Sequence, residues 1–278
     1  MNFNKQNIME VKRNKKIGLA LGSGGVRGLT HLGVIKVLVK NNIPIDYIAG
    51  SSIGALIGGL YAAFKDTNKI EEIINDFSYR DFITIFADID LRMRGLVKGE
   101  RALQFLRSKI GNIKIEDLPV PFRAISTDIN TGEPVIFDHG DLIEAIRASG
   151  SVPGIFRPMY YKGRYLVDGG IVMPVPVKVV KEMGSDIVIA VTLDDVYVLD
   201  KTTNRNINKI NAYTTAIKSL NLLRYHLAQE NVKNADIVIA PKVKNDSWLN
   251  FVHGQNIIKI GEEEAIKALP LIKEKLNS

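Results

Sequence analysis

The sequence predicts an α/β fold, a three-layer α/β/α arrangement around a mainly parallel central sheet. Three observations carry that expectation. Ile17 to Leu21 and Asp186 to Val191 are short apolar runs without alternation, as strands buried on both faces are. Segments of helical period lie between such runs, so strands alternate with helices along the chain. Two glycine-rich turns, at 22–28 and 50–54, each follow a strand-like run and lead into a helix-like one. Open α/β sheets place their sites at such carboxyl ends of strands.

Taken in order, residues 1–15 read as a loose basic arm with Lys5, Lys12, Arg13 and Lys15, and residues 16–278 as a single domain. After the first strand a helix is expected from Leu29 to Asn41, with Leu32, Ile35, Leu38 and Val39 at helical spacing. A second strand covers Ile43 to Ala49, and Ala55 to Phe64 is apolar enough for a buried helix. Asn68 to Phe77 is amphipathic. Residues 78–98 mix aromatic, aliphatic and basic side chains, which suits either a lid or an irregular packed segment.

A helix follows from Gly99 to Ile110. Phe122–Thr127 and Pro134–Phe137 then pair as strands around the turn Asn130-Thr131-Gly132. Asp141 caps a short helix to Ala148. Tyr165-Leu166-Val167 is a strand, and so is Asp236 to Ala240. Between Asp186–Val191 and that last strand, Ile207 to Asn231 has the period of a long helix. Gly261 to Leu276 closes the chain as a helix, with Pro270 a point for a kink.

Composition narrows the function classes. With 46% hydrophobic and 24% charged residues, the chain buries a core and is not disordered. It has no cysteine, which excludes disulfides, thiolate metal sites and a cysteine nucleophile. The first 16 residues lack the apolar stretch of a signal peptide, and no run is long enough to span a bilayer. A cytoplasmic location is expected, peripheral at the inner membrane face; the net charge of +7 allows attraction to anionic surfaces and serves solubility equally well. Nucleic acid would satisfy the same sign of charge.

Gly50-Ser51-Ser52-Ile53-Gly54 reads G-x-S-x-G, the pattern of a serine on a sharp strand-to-helix turn. Gly50 and Gly54 are small so that the backbone closes around Ser52. The loop at 22–28 admits three readings. A dinucleotide loop needs glycine where Arg27 stands and an acid at the end of the next strand, where Gly50-Ser51-Ser52 lies. A Walker loop needs Lys-Ser or Lys-Thr after the glycines. An oxyanion hole needs free backbone N–H groups at a helix start, and Gly24, Gly25, Arg27 and Gly28 supply that setting best.

A serine nucleophile needs a base. The four histidines are His31, His139, His226 and His253. His31 reads as packed or capping, His139 as an exposed turn and His226 as helix surface, which leaves His253 in reserve. Asp168-Gly169-Gly170, at the end of a strand, is either a turn or the base. A triad esterase using His253, a non-catalytic lipid-binding protein and a nucleotide-binding protein are the competing functions.

Together, Gly24-Gly25-Val26-Arg27-Gly28, Gly50-Ser51-Ser52-Ile53-Gly54 and Asp168-Gly169-Gly170 resemble, in order and spacing, the patatin-like phospholipase family. Arg147 to Phe156 resembles that family's block between serine and aspartate, and the likeness runs from about Ile17 to Ala240. Ser23, where many members have glycine, departs from the pattern. The resemblance implies a patatin-like fold and a serine lipid acyl hydrolase with a Ser52–Asp168 dyad, needing neither metal nor cofactor. Its implied partner is a phospholipid or other acyl ester, with contact to an anionic membrane surface and no nucleic acid. Arg27 would fix the loop or steer an anionic head group. Asp168 would need a raised pKa to act near neutrality, and Gly169 and Gly170 would let it approach Ser52.

Overall fold

A computed structural model describes residues 15–76, 88–90, 96–194, 212–243 and 254–278. The arm at 1–14, most of the expected lid, the start of the long helix at 207–211 and His253 lie outside the described residues. Strands β1 (Ile17–Leu21), β2 (Tyr47–Ser51), β5 (Phe122–Asp128), β6 (Pro134–Phe137), β7 (Met159–Tyr161), β8 (Arg164–Asp168), β9 (Ile187–Val191) and β10 (Ile237–Ile239) form one sheet. Its order is β10-β9-β1-β2-β5-β8-β7, with β6 also on β5. A separate two-residue pair, β3 (Ile89–Asp90) and β4 (Leu96–Val97), lies outside it.

The sheet is mixed. Strands β10 through β5 run parallel, whereas β6 and β8 are antiparallel to β5 and β7 to β8. The alternation of side chains splits each buried strand between two cores. Leu19, Leu21, Ile48, Ile189 and Val191 face one core, beneath α1 (Leu29–Lys40), α2 (Ile53–Phe64) and α8 (Gly254–Asn277). Ala20, Ala49, Val188 and Ala190 face the other, beneath α6 (Val177–Glu182) and α7 (Ala212–Val232). The small residues on this second face let α6 approach closely, and a Cβ at Gly18 would lie 2.0 Å from Val180. The remaining helices are α3 (Thr67–Asn75), capped by Asp66; α4 (Glu100–Ile110); and α5 (Leu142–Ser149), capped by Asp141.

Two elements carry no expectation from the sequence and a third has different bounds. Val177–Glu182, dense in valine, forms the six-residue helix α6. Strand β7 joins β8 as a hairpin at the sheet edge. Helix α8 begins at Gly254, and Pro270 is accommodated inside it. That helix lies against α1 with backbones nearly touching: a Cβ at Gly33 would be 2.0 Å from the Ile258 carbonyl oxygen, and one at Gly261 would be 2.1 Å from that of Thr30.

Candidate active site

The topology brings two strand ends together. β2 lies along one edge of β5 and ends with Ser51 opposite Ile125. β8 approaches along the same edge from the other direction and ends with Asp168 opposite Ser126, while β6 occupies the far edge. Ser52 and Asp168, 116 residues apart (168 − 52), therefore sit where the two strands meet.

Ser52 leaves β2 at φ 57° and ψ −122°, a left-handed conformation that costs a non-glycine residue about 1–3 kcal/mol. It is the N-cap residue of α2, yet its side chain makes no cap hydrogen bond, so the hydroxyl is left for other work. The turn is closed by backbone approach: a Cβ at Gly50 would be 2.3 Å from the Gly54 carbonyl oxygen, and one at Gly54 would be 2.2 Å from that of Leu21. The Ser52 N–H donates to Ser149 Oγ at 2.8 Å, and the Ser51 hydroxyl donates to the Met173 carbonyl at 2.6 Å. Ser149 in turn donates to the Ile125 carbonyl.

The glycine loop runs from β1 into α1 through a short 3-10 turn, Gly25–Gly28. The N–H groups of Gly22 and Ser23 are held by the carbonyls of Val191 and Pro174. Those of Gly24 and Gly25 take no backbone partner among the described residues, which leaves two adjacent donors. Gly25 has φ 58° and open space on its Cβ side. Gly28 is packed instead, because a Cβ there would be 2.3 Å from Ile53, the residue after Ser52. The Arg27 guanidinium donates to the carbonyls of Gly24 at 3.3 Å and Leu193 at 2.6 Å, which fixes the loop.

His31 anchors the same loop from below. It is fully buried, and its Nε2–H donates to the Gly22 carbonyl at 2.8 Å. Burial holds its pKa down to about 4 from 6.5. A depressed histidine stays neutral in the fold while the unfolded chain takes up a proton. Stability should therefore fall as pH drops from about 6.5 to about 4, by up to about 3 kcal/mol. Urea unfolding of wild type and His31→Gln across that window checks it: the variant should show a flatter pH dependence.

Asp168 is the last residue of β8 and only 7% exposed. Its Oδ1 accepts the Gly170 N–H at 2.7 Å, and its own N–H donates to the Ser151 carbonyl at 3.0 Å. Burial is the largest influence on its carboxyl and pushes the pKa up. The Ser52 hydroxyl, the Gly170 N–H and Arg224 pull it down, and Asp194 pushes it up again. Ser52 faces the carboxylate closely enough to affect it, yet buried Oδ2 makes no hydrogen bond of ordinary distance and angle. Such loose contacts occur in free active sites and tighten when substrate binds. Gly169 and Gly170 allow close packing: Cβ atoms there would lie 2.1 Å from the Ile125 carbonyl oxygen and 2.5 Å from Ser23 Oγ.

None of the three described histidines bonds Ser52. His139 is exposed beside Asp138, His226 is exposed on α7, and His31 holds Gly22. Ser149, Asp194 and Arg224 were not among the expected site residues.

A family model described as patatin-like phospholipase matches residues 19–181, which span the glycine loop, Ser52 and Asp168. The chain belongs to the patatin-like phospholipase family. An uncharacterized NTE family protein of Mycobacterium tuberculosis is 38% identical over 179 residues, 64% of this chain and 49% of that protein. The Yarrowia lipolytica protein named lysophospholipase NTE1 is 34% identical over 201 residues, 72% of this chain and 14% of its own length. This patatin-like chain thus spans about half the length of the mycobacterial relatives and far less of the yeast ones. The crystal structure of VipD from Legionella pneumophila shares the fold at a TM-score of 0.54 and 14% identity, covering 93% of this chain and 67% of VipD. No helix among the described residues of this patatin-like chain is long and apolar enough to cross a membrane.

Proposed function

We propose that this chain is a serine lipid acyl hydrolase of the phospholipase A or carboxylesterase type, working through Ser52 and Asp168. The observation that carries the reading is the uncapped Ser52, strained on its turn and facing a buried carboxylate with one oxygen free of hydrogen bonds. Ser52 Oγ attacks the ester carbonyl while its proton passes to Asp168. The N–H groups of Gly24 and Gly25 hold the oxyanion as it forms, and one such donor is worth roughly 10²–10³ in rate. Asp168 returns the proton to the departing alcohol or lysolipid. It then takes a proton from water as that water attacks the acyl carbonyl, and passes the proton to Ser52 Oγ as the acyl C–O bond breaks and the fatty acid leaves.

A lysophospholipid or phospholipid is the proposed substrate, in keeping with the name of the yeast relatives, and the net charge of +7 would favour an anionic lipid surface. The test is the pH dependence of kcat/KM on a short acyl ester and a lysophospholipid, for wild type and Asp168→Asn. The base must be ionised, so activity should fall as pH drops through the raised Asp168 pKa. That acid limb should lie above the ordinary aspartate value of about 3.9. Asp168→Asn should lose turnover on both substrates. A variant with wild-type rates would overturn the reading; a limb in the ordinary range would overturn the raised pKa of Asp168 alone.

A further inference from the structure

Asp194 lies just past β9, outside the family match, and is fully buried. Its Oδ1 accepts from Arg224 Nε at 3.1 Å and Nη2 at 2.8 Å, and Arg27 Nη2 stands 3.8 Å from the same oxygen. Oδ2 is buried without a partner. One carboxylate thus receives two arginines from distant parts of the chain. Arg27 comes from the glycine loop, and Arg224 from α7, which packs against the turn at Gly169–Ile171. The backbone tightens the link, since a Cβ at Gly24 would lie 2.6 Å from Leu193, the neighbour of Asp194.

A buried ion pair adds little net stability compared with apolar packing of the same volume. What it supplies is fixed geometry and a fixed local field. We propose that Asp194 and Arg224 are positioning residues for the Ser52–Asp168 site: Asp194 ties the glycine loop to α7 through the two arginines, and the Asp194–Arg224 pair sets opposite charges beside the base. The proposal rests on the dyad reading given above.

Both charges act on Asp168, Arg224 favouring its ionised form and Asp194 opposing it. Among the described residues, two further charges on the enclosing elements have partners of their own. Arg147 of α5 donates to Ser151 Oγ and to the carbonyls of Lys98 and Arg157, and Asp128 of β5 stands 3.9 Å from Arg164.

The test compares kcat/KM against pH for wild type, Arg224→Gln, Arg224→Lys and Asp194→Asn, with folding followed by circular dichroism. Removing the cation should move the acid limb to higher pH, and removing the anion should move it lower. Lysine at 224 should return the limb to the wild-type position. A merely structural role would lower the plateau without moving the limb in opposite directions. Should Asp194→Asn fail to fold, the two Arg224 variants decide, because that side chain is 22% exposed. An unmoved limb in Arg224→Gln, or shifts of the same sign in the Asp194 and Arg224→Gln variants, overturns the proposal. Asp168→Asn separates the two levels. If it retains wild-type turnover, the dyad reading itself has failed. If it loses turnover while Arg224→Gln leaves the limb in place, only the positioning role falls.

Discussion

Ser52→Ala should fold normally and lose ester hydrolysis, with kcat down on the order of 10⁶-fold, the loss seen when a hydrolase gives up its serine nucleophile. Folding should survive because the Ser52 side chain caps nothing; its backbone N–H, bonded to Ser149, is present in any replacement except proline. Ser52→Gly separates chemistry from strain. Glycine adopts φ 57° without penalty, so that variant should be equally inactive yet more stable than Ser52→Ala, by about 1 kcal/mol. Turnover measurements and urea midpoints on the same preparations read both effects. A rate in Ser52→Ala near wild type would place the nucleophile elsewhere.

The second large effect is on folding. Valine at position 261 would push its side chain into the backbone of α1, where a Cβ already comes within 2.1 Å of the Thr30 carbonyl oxygen. A flexible side chain could swing away from such a clash; a helix backbone can yield only by separating α8 from α1. Overpacking of this severity costs about 3 kcal/mol, which lowers Tm by roughly 6–12 °C in a domain of this size. Thr30 adjoins His31, which holds Gly22, so the displacement would reach the glycine loop and reduce kcat as well. Calorimetry of Gly261→Val tests this, and a Tm within about 2 °C of wild type would contradict it.

The parts of the site that were legible in the sequence are those built from consecutive residues. A turn of glycines around Ser52 follows from local sterics, and apolar runs without alternation mark strands buried twice over. The meeting of β2 and β8 was not legible. It depends on both strands sharing one edge of β5, a register linking positions 51, 125 and 168 that no local pattern records. The resemblance supplies the pairing of Ser52 with Asp168, which the residues alone leave open between Asp168 and His253. Asp194 and Arg224 carry no motif and are 30 residues apart; only burial reveals that one answers the other. Helix α6 carries no signal that the sequence reading used: its valines favour strands, and packing against Gly18 overrides that preference.

The sheet order has a consequence for how the chain can be divided. The family match ends at residue 181, yet β9, at 187–191, lies between β1 and β10, and α8 covers α1. A fragment cut at the end of the match would keep every motif residue from Gly24 to Asp168. It would also expose the row of backbone N–H and carbonyl groups on β1 that β9 now satisfies, beside the uncovered apolar face of α1. An open parallel edge of that kind invites pairing between molecules. The end of the family match and the boundary of the folding unit are therefore different places in this chain, and a fragment cut at the first would aggregate for want of the second.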